Sequence, residues 1–228
     1  MSIILSSWKG EKILAIALPI AVDQRLVGTC FVGDVLNGHL LFITTLHHIG
    51  NGTTIQVAIP PHFGDVSISQ TYPLTSTPLV DLELIYSDPI HDIAILKAKS
   101  KDIHAPLPNY LNKHNEINTG DDVVIVGYPY APMGSVLETA EKSSVSAIGN
   151  RIFMDTIEVN EFVVSHQTYQ GSSGSPVIRS SDGLLCGIVR GCLAPPEMLS
   201  IGNIPIGTDS NITYAVNASI IPNILENL

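Results

Sequence analysis

Cysteine is scarce: Cys30, Cys186 and Cys192 are the only three in 228 residues. An odd, low count does not supply a secreted disulfide framework. The three read as small, buried, reduced hydrophobes in a cytoplasmic protein, with secretion or a periplasmic address the weaker reading. Positive charge is scarce as well. Lys and Arg total 11 against 21 Asp and Glu, a formal net charge of −10. So acidic a chain does not condense on phosphate backbones, which sets nucleic acid aside as a partner. No run reaches the roughly eighteen uncharged apolar residues of a membrane helix. The nearest approach is residues 13–22, interrupted by Pro19 and preceded by Lys9 and Lys12. A signal peptide and a first β-strand are the two readings of that run. Its continuation into a second apolar run over 26–32 favours the strand. Charged residues are 14% and apolar residues 45% of the chain. That is too apolar for disorder and too poor in charge for a coiled coil.

What the chain does hold is many short apolar runs, punctuated by 18 Gly and 15 Pro. They cover residues 13–22, 27–32, 39–45, 54–59, 81–86, 92–97, 122–126, 144–148, 162–165, 175–178, 184–189 and 213–216. This texture predicts an all-β barrel or sandwich. Helical spacing arises only at the end, where Ile220, Ile221, Ile224, Leu225 and Leu228 share one face and Pro222 fits the first turn. Residues 101–120 carry Lys, Asn, His and Pro with little apolar pattern. They read as a linker between a first half, 1–100, and a second, 121–228. No tandem repeat is visible.

The sharpest chemical signal is Gly171-Ser172-Ser173-Gly174-Ser175-Pro176. A nucleophilic serine needs an exposed Oγ on a tight turn, with backbone N–H groups converging where an oxyanion forms. Gly171 leaves that approach open, and Gly174 lets the chain depart sharply into a strand. A flexible Gly/Ser loop is the bland alternative for this hexapeptide alone. Serine also requires a base. Thr44-Thr45-Leu46-His47-His48 ends a strand and delivers two histidines. Neighbours on a strand face opposite ways, so the pair is ill suited to chelating one metal ion. No metal-site spacing such as HExxH or CxxC accompanies it. Asp92 opens the apolar stretch Asp92-Ile93-Ala94-Ile95-Leu96, an odd place for an acid unless it faces a partner. An exposed turn residue is the bland alternative.

Taken together, these blocks resemble the trypsin-like serine peptidases, in particular the bacterial HtrA-like branch. The order His, Asp, Ser agrees, with intervals 92 − 47 = 45 and 173 − 92 = 81. Thr44 to His47 is similar to that family's Thr-x-x-His block, Asp92 to Leu96 to its Asp-Ile-Ala block, and Gly171 to Pro176 to its Gly-x-Ser-Gly-x-Pro block. Gly28-Thr29-Cys30-Phe31 resembles the Gly-Thr-Gly-Phe strand, with Cys30 replacing glycine. Val124 to Pro129, Ser144 to Gly149, Gly187 to Val189 and Tyr214 to Val216 are similar to strands of the second half, so the likeness spans about residues 13–228. The resemblance implies two packed six-stranded antiparallel β-barrels with a short C-terminal helix. It also implies a serine endopeptidase without metal or cofactor, acting on protein or peptide substrates. Ser173 would be the nucleophile, His47 its base and Asp92 the orienting acid, with the N–H groups of Gly171 and Ser173 forming the oxyanion hole.

Two departures leave alternatives open. Shifting the threonine block by one residue would make His48 the base. The small Thr45 after Thr44, and the apolar Phe42-Ile43 before it, favour His47. Arg190 stands where the family often has a small hydroxyl residue. It reads either as a partner for Asp92, which would weaken the triad, or as a solvent-directed side chain. Ser172 replaces the aspartate that captures a freed N-terminus in digestive members, so zymogen cleavage is not expected. Gln167, Thr168 and Arg190 would line the specificity pocket. With Gln167 in place of an aspartate, a small, apolar or uncharged polar side chain is expected rather than Lys or Arg. No PDZ-like stretch is seen after the second half, so HtrA-style trimer regulation is not implied. The rival reading is an inactive peptide-binding pseudoprotease on the same fold. An esterase is disfavoured by the absence of a G-x-S-x-G elbow.

Overall fold

The computed structural model describes residues 3–4, 17–59, 77–105, 107, 111, 116–134, 136–192, 199–201, 204–206 and 212–228. The first six-stranded unit consists of β2 (Ala17–Val22), β3 (Arg25–Leu36), β4 (His39–Thr45), β5 (Ile55–Ala58), β6 (Leu79–Asp88) and β7 (Ile93–Ala98). They close into an antiparallel barrel in the order β2-β3-β4-β7-β6-β5. The second is built from β9 (Asp122–Gly127), β10 (Thr139–Phe153), β11 (Ile157–Val164), β12 (Pro176–Arg179), β13 (Leu185–Cys192) and β16 (Thr213–Asn217). It closes as β10-β11-β16-β13-β12-β9. Counted from its own first strand, each barrel runs 1-2-3-6-5-4. The same wiring therefore occurs twice without a visible sequence repeat. Two short pairs lie outside the barrels: β1 (Ile3–Ile4) with β8 (Ile103–His104), and β14 (Leu199–Ile201) with β15 (Ile204–Ile206). The chain ends in α2 (Ile221–Glu226), with Pro222 in its first turn.

Strand alternation explains why these runs look apolar throughout. On β3, Cys30 and Val32 fill the first barrel with Leu18, Ile20, Phe42 and Leu96, while Phe31 points the other way. Phe31, Ile43 and Ile93 meet Ile178, Ile188 and Val216 of the second barrel, and Ile221 of α2 closes that seam. A second seam sets the alanines Ala17, Ala21 and Ala58 against Val124, Val126 and Tyr128. Both faces of the central strands are thus buried, and small side chains stand where the barrels come close.

Two expectations change. The histidines sit not on a strand but on α1 (Leu46–Ile49), a single helical turn directly after β4. Asp92 is the turn residue before β7, with φ +59. Within the 101–120 segment, Ile103 is buried in the first core and Ile117 in the second. Cys30 and Cys186 are fully buried, whereas Cys192 is half-buried, and none of the three forms a disulfide.

Candidate active site

Strand register brings the acid to the histidine. β4 and β7 pair Thr45 with Ile93, so the next residues outward are Leu46 and Asp92. The left-handed turn at Asp92 is one that aspartate tolerates better than most residues. It aims carbonyl and carboxylate at the start of α1. The Leu46 amide donates to the Asp92 carbonyl at 3.0 Å, and the His47 amide to Asp92 Oδ1 at 2.9 Å. His47 Nδ1 lies 2.6 Å from Asp92 Oδ2. One acid therefore fixes both the backbone and the ring of His47. With Nδ1 holding the shared proton, Nε2 is left as an acceptor.

The neighbouring ring has a different fate. His47 and His48 are one helical step apart, with ring centroids 4.6 Å apart and planes at 64°. His48 turns inward. Its Nδ1 approaches Thr45 Oγ1 at 3.1 Å and Thr44 Oγ1 at 3.3 Å. Its ring fills the space a side chain at Gly28 would need: a Cβ there would lie 2.1 Å from His48 Cε1. Burial is the main cause that pushes the His48 pKa down to about 3, helped by the adjacent His47. His48 stays neutral at physiological pH. Of the two histidines, it is His47 that Asp92 holds.

The Gly171–Ser175 turn is fastened on several sides. The Ser172 amide donates to the Tyr169 carbonyl at 3.0 Å, and Ser172 Oγ accepts from the Tyr169 amide at 3.2 Å. The Gly174 amide donates to Val189 at 2.8 Å. Gly171 has φ +105 and Gly174 φ +81. A Cβ on Gly174 would lie 1.9 Å from the Thr29 carbonyl, so only glycine fits. Among the described residues, the amides of Gly171 and Ser173 have no acceptor. Ser173 Oγ donates to the carbonyl of Arg190 at 3.0 Å, not to His47.

A residue with no chemical signal in the sequence ties this turn to the first barrel. Thr29 is fully buried. Its amide donates to the Ser173 carbonyl at 3.1 Å and its Oγ1 to the Gly171 carbonyl at 2.9 Å. The same Oγ1 accepts from the Tyr128 amide at 2.9 Å. Its carbonyl accepts from Thr44 Oγ1 at 2.7 Å, three residues before His47. Two hydrogen bonds thus separate the serine turn from β4, the strand that leads into the histidine turn.

Arg190 follows neither of its expected courses. A register shift between Val189 and Gly191 makes it a bulge residue on β13, and bulges re-aim side chains. Its Nε lies 3.4 Å from Oε1 of the buried Glu161, which also accepts from Arg151 Nε at 2.7 Å. Arg190 lines a cleft of about 410 Å³; Gln167 and Thr168 are not in its lining. Gln167 is exposed. Thr168 is buried, with its hydroxyl accepting from Thr213 Oγ1 at 3.2 Å. Among the described residues, no cluster of His, Cys, Asp or Glu has metal-binding geometry, and no helix is long and apolar enough to cross a membrane.

Solved structures of bacterial proteins share this fold. The Rv3671c protease of M. tuberculosis H37Rv, in its inactive form, superposes with a TM-score of 0.61 at 20% identity, over 93% of this chain and 85% of that one. The serine endoprotease from Yersinia pestis gives 0.60 at 20% identity, over 93% and 62%. The MamO protease domain from Magnetospirillum magneticum gives 0.59 at 16% identity, over 92% and 95%. At these identities the likeness shows the fold. No curated protein sequence matches the chain. The family model for the trypsin-like peptidase domain matches residues 28–188, well over half of the molecule, and the chain belongs to that family.

Proposed function

We propose that the chain is a serine endopeptidase. Ser173 is the nucleophile, His47 its general base and Asp92 the orienting acid. In the first step the Ser173 hydroxyl proton passes to His47 Nε2 as Oγ bonds to the scissile carbonyl carbon. The amides of Gly171 and Ser173, which have no acceptor among the described residues, stabilise the oxyanion. His47 then gives its proton to the departing amine as the C–N bond breaks. Water, deprotonated by His47, bonds to the acyl carbon; the bond from that carbon to Ser173 Oγ then breaks, and His47 returns the proton to Oγ. The reading rests chiefly on the two-oxygen grip of Asp92 on His47, at 2.6 and 2.9 Å.

The contact from Ser173 Oγ to the Arg190 carbonyl favours the second reading, a peptide-binding protein without turnover. A rotation about Cα–Cβ between staggered wells, on a picosecond to nanosecond scale, is enough to release that hydroxyl. Catalytic hydrogen bonds are also often unformed without substrate. Cleavage of a peptide library by the purified protein, set against Ser173→Ala, decides between the two. Cleavage that vanishes in the variant is expected. A folded protein that binds peptides and cleaves none supports the second reading.

A further inference from the structure

The chain has four arginines, Arg25, Arg151, Arg179 and Arg190, in a molecule of net charge −10. Two of the four line the same cleft of about 410 Å³, together with Ile148, Glu161, Val163 and Tyr214. Arg151 is engaged on two sides: its Nε donates to Glu161 and its Nη2 to the Ile90 carbonyl at 2.8 Å. Arg190 is not. Its contact with Glu161 is 3.4 Å long and lacks the alignment of a hydrogen bond. The guanidinium makes no hydrogen bond to any described residue. Two guanidinium groups thus share one buried carboxylate, and the cleft keeps one positive charge with its donors unspent. A planar guanidinium with free N–H groups is built to take a carboxylate through two parallel bonds.

Arg190 joins the cleft to the reacting serine: it lines the cleft, and its carbonyl accepts from Ser173 Oγ at 3.0 Å. A peptide advances about 3.3 Å per extended residue, so a side chain two to four residues from the scissile bond can reach the guanidinium. We propose that Arg190 selects peptide substrates carrying an Asp or Glu at one such position, with Glu161 and Arg151 bracing the cleft. Long-range attraction cannot produce this choice, since the net charge repels acidic peptides. The selectivity is local. The inference rests on the peptidase reading for its catalytic form, but binding alone also exposes it.

The test uses peptides identical except for Glu, Gln or Lys scanned through the four residues on each side of the cleaved bond. With the wild type, kcat/KM for Glu over Gln should rise about tenfold at one position, mainly through KM. Arg190→Gln should bring that ratio close to one, and Arg190→Lys should keep part of it. The same peptides, fluorescently labelled, are titrated against Ser173→Ala, so that binding is read without turnover. Hydrolysis absent from the wild type, with Glu peptides still bound tighter than Gln, refutes the peptidase reading and keeps this one. Equal handling of Glu and Gln at every position overturns it. So does a Glu preference that survives in folded Arg190→Gln. If Arg190→Gln does not fold, the wild-type scan and Arg190→Lys still decide.

Discussion

At the scale of single residues, the account turns on Asp92 and the two histidines. Asp92→Asn keeps an oxygen for the His47 amide but offers an N–H where Oδ2 stood 2.6 Å from Nδ1. The imidazole then favours the other tautomer, and kcat should fall roughly 10⁴-fold with little loss of stability. Steady-state kinetics beside a denaturation curve checks both halves. His48 gives a prediction of another kind. Its pKa is depressed to about 3 in the folded chain, against roughly 6.5 when unfolded. Between those values the unfolded state binds the proton and the native state does not. The His48 contribution is thus whole above pH 6.5 and drains away as pH falls toward 3, at up to about 1.4 kcal/mol per pH unit. Urea unfolding from pH 7 to 4 should show a shallower decline for His48→Gln than for the wild type. The sequence displayed both histidines but not their division of labour. Reading them on a strand put them on opposite faces; they are in fact a helical step apart, and burial beside Gly28 separates their roles.

At the scale of elements, the serine turn and β3 form one device. Thr29→Val removes the hydroxyl between the Tyr128 amide and the Gly171 carbonyl, leaving two buried groups unpaired. A loss of about 2–4 kcal/mol is expected from two such groups, and Thr29→Ser should recover most of it. Equilibrium unfolding reads the energy, and the turnover of Thr29→Val reads whether the Gly171 amide has moved. The Gly28–Phe31 block was visible in the chain, but nothing local announced that its threonine bonds to a residue 142 positions away. Likewise β10 is fifteen residues long where only the apolar 144–148 stood out. Its outer half mixes Gly149, Asn150 and Arg151 with solvent-facing Ile148 and Ile152, so it lacks the alternation that marks a half-buried strand. The pairing of Glu161 with Arg151 and Arg190 was equally hidden, because three charges on different strands share no spacing.

At the scale of the whole molecule, two barrels of identical wiring bury a common seam, and the groups proposed to react stand on either side of it. His47 and Asp92 come from the first barrel, Ser173 from the second. Ile221 of α2 is fully buried against that seam. Ile221→Ala should cost about 2–5 kcal/mol and lower the urea midpoint. Short apolar runs made the all-β class legible; the doubled strand order was not, since different residues fill equivalent places in the two barrels. The central claim is that His47 activates Ser173 across this seam. Its most direct test is the rate at which a fluorophosphonate modifies Ser173, located by mass spectrometry, in the wild type, His47→Ala and His48→Gln. The account predicts rapid modification of the wild type, a loss of roughly 10³-fold or more in His47→Ala, and a far smaller loss in His48→Gln. An unmodified Ser173 in folded wild-type protein, or His47→Ala reacting at the wild-type rate, would contradict it.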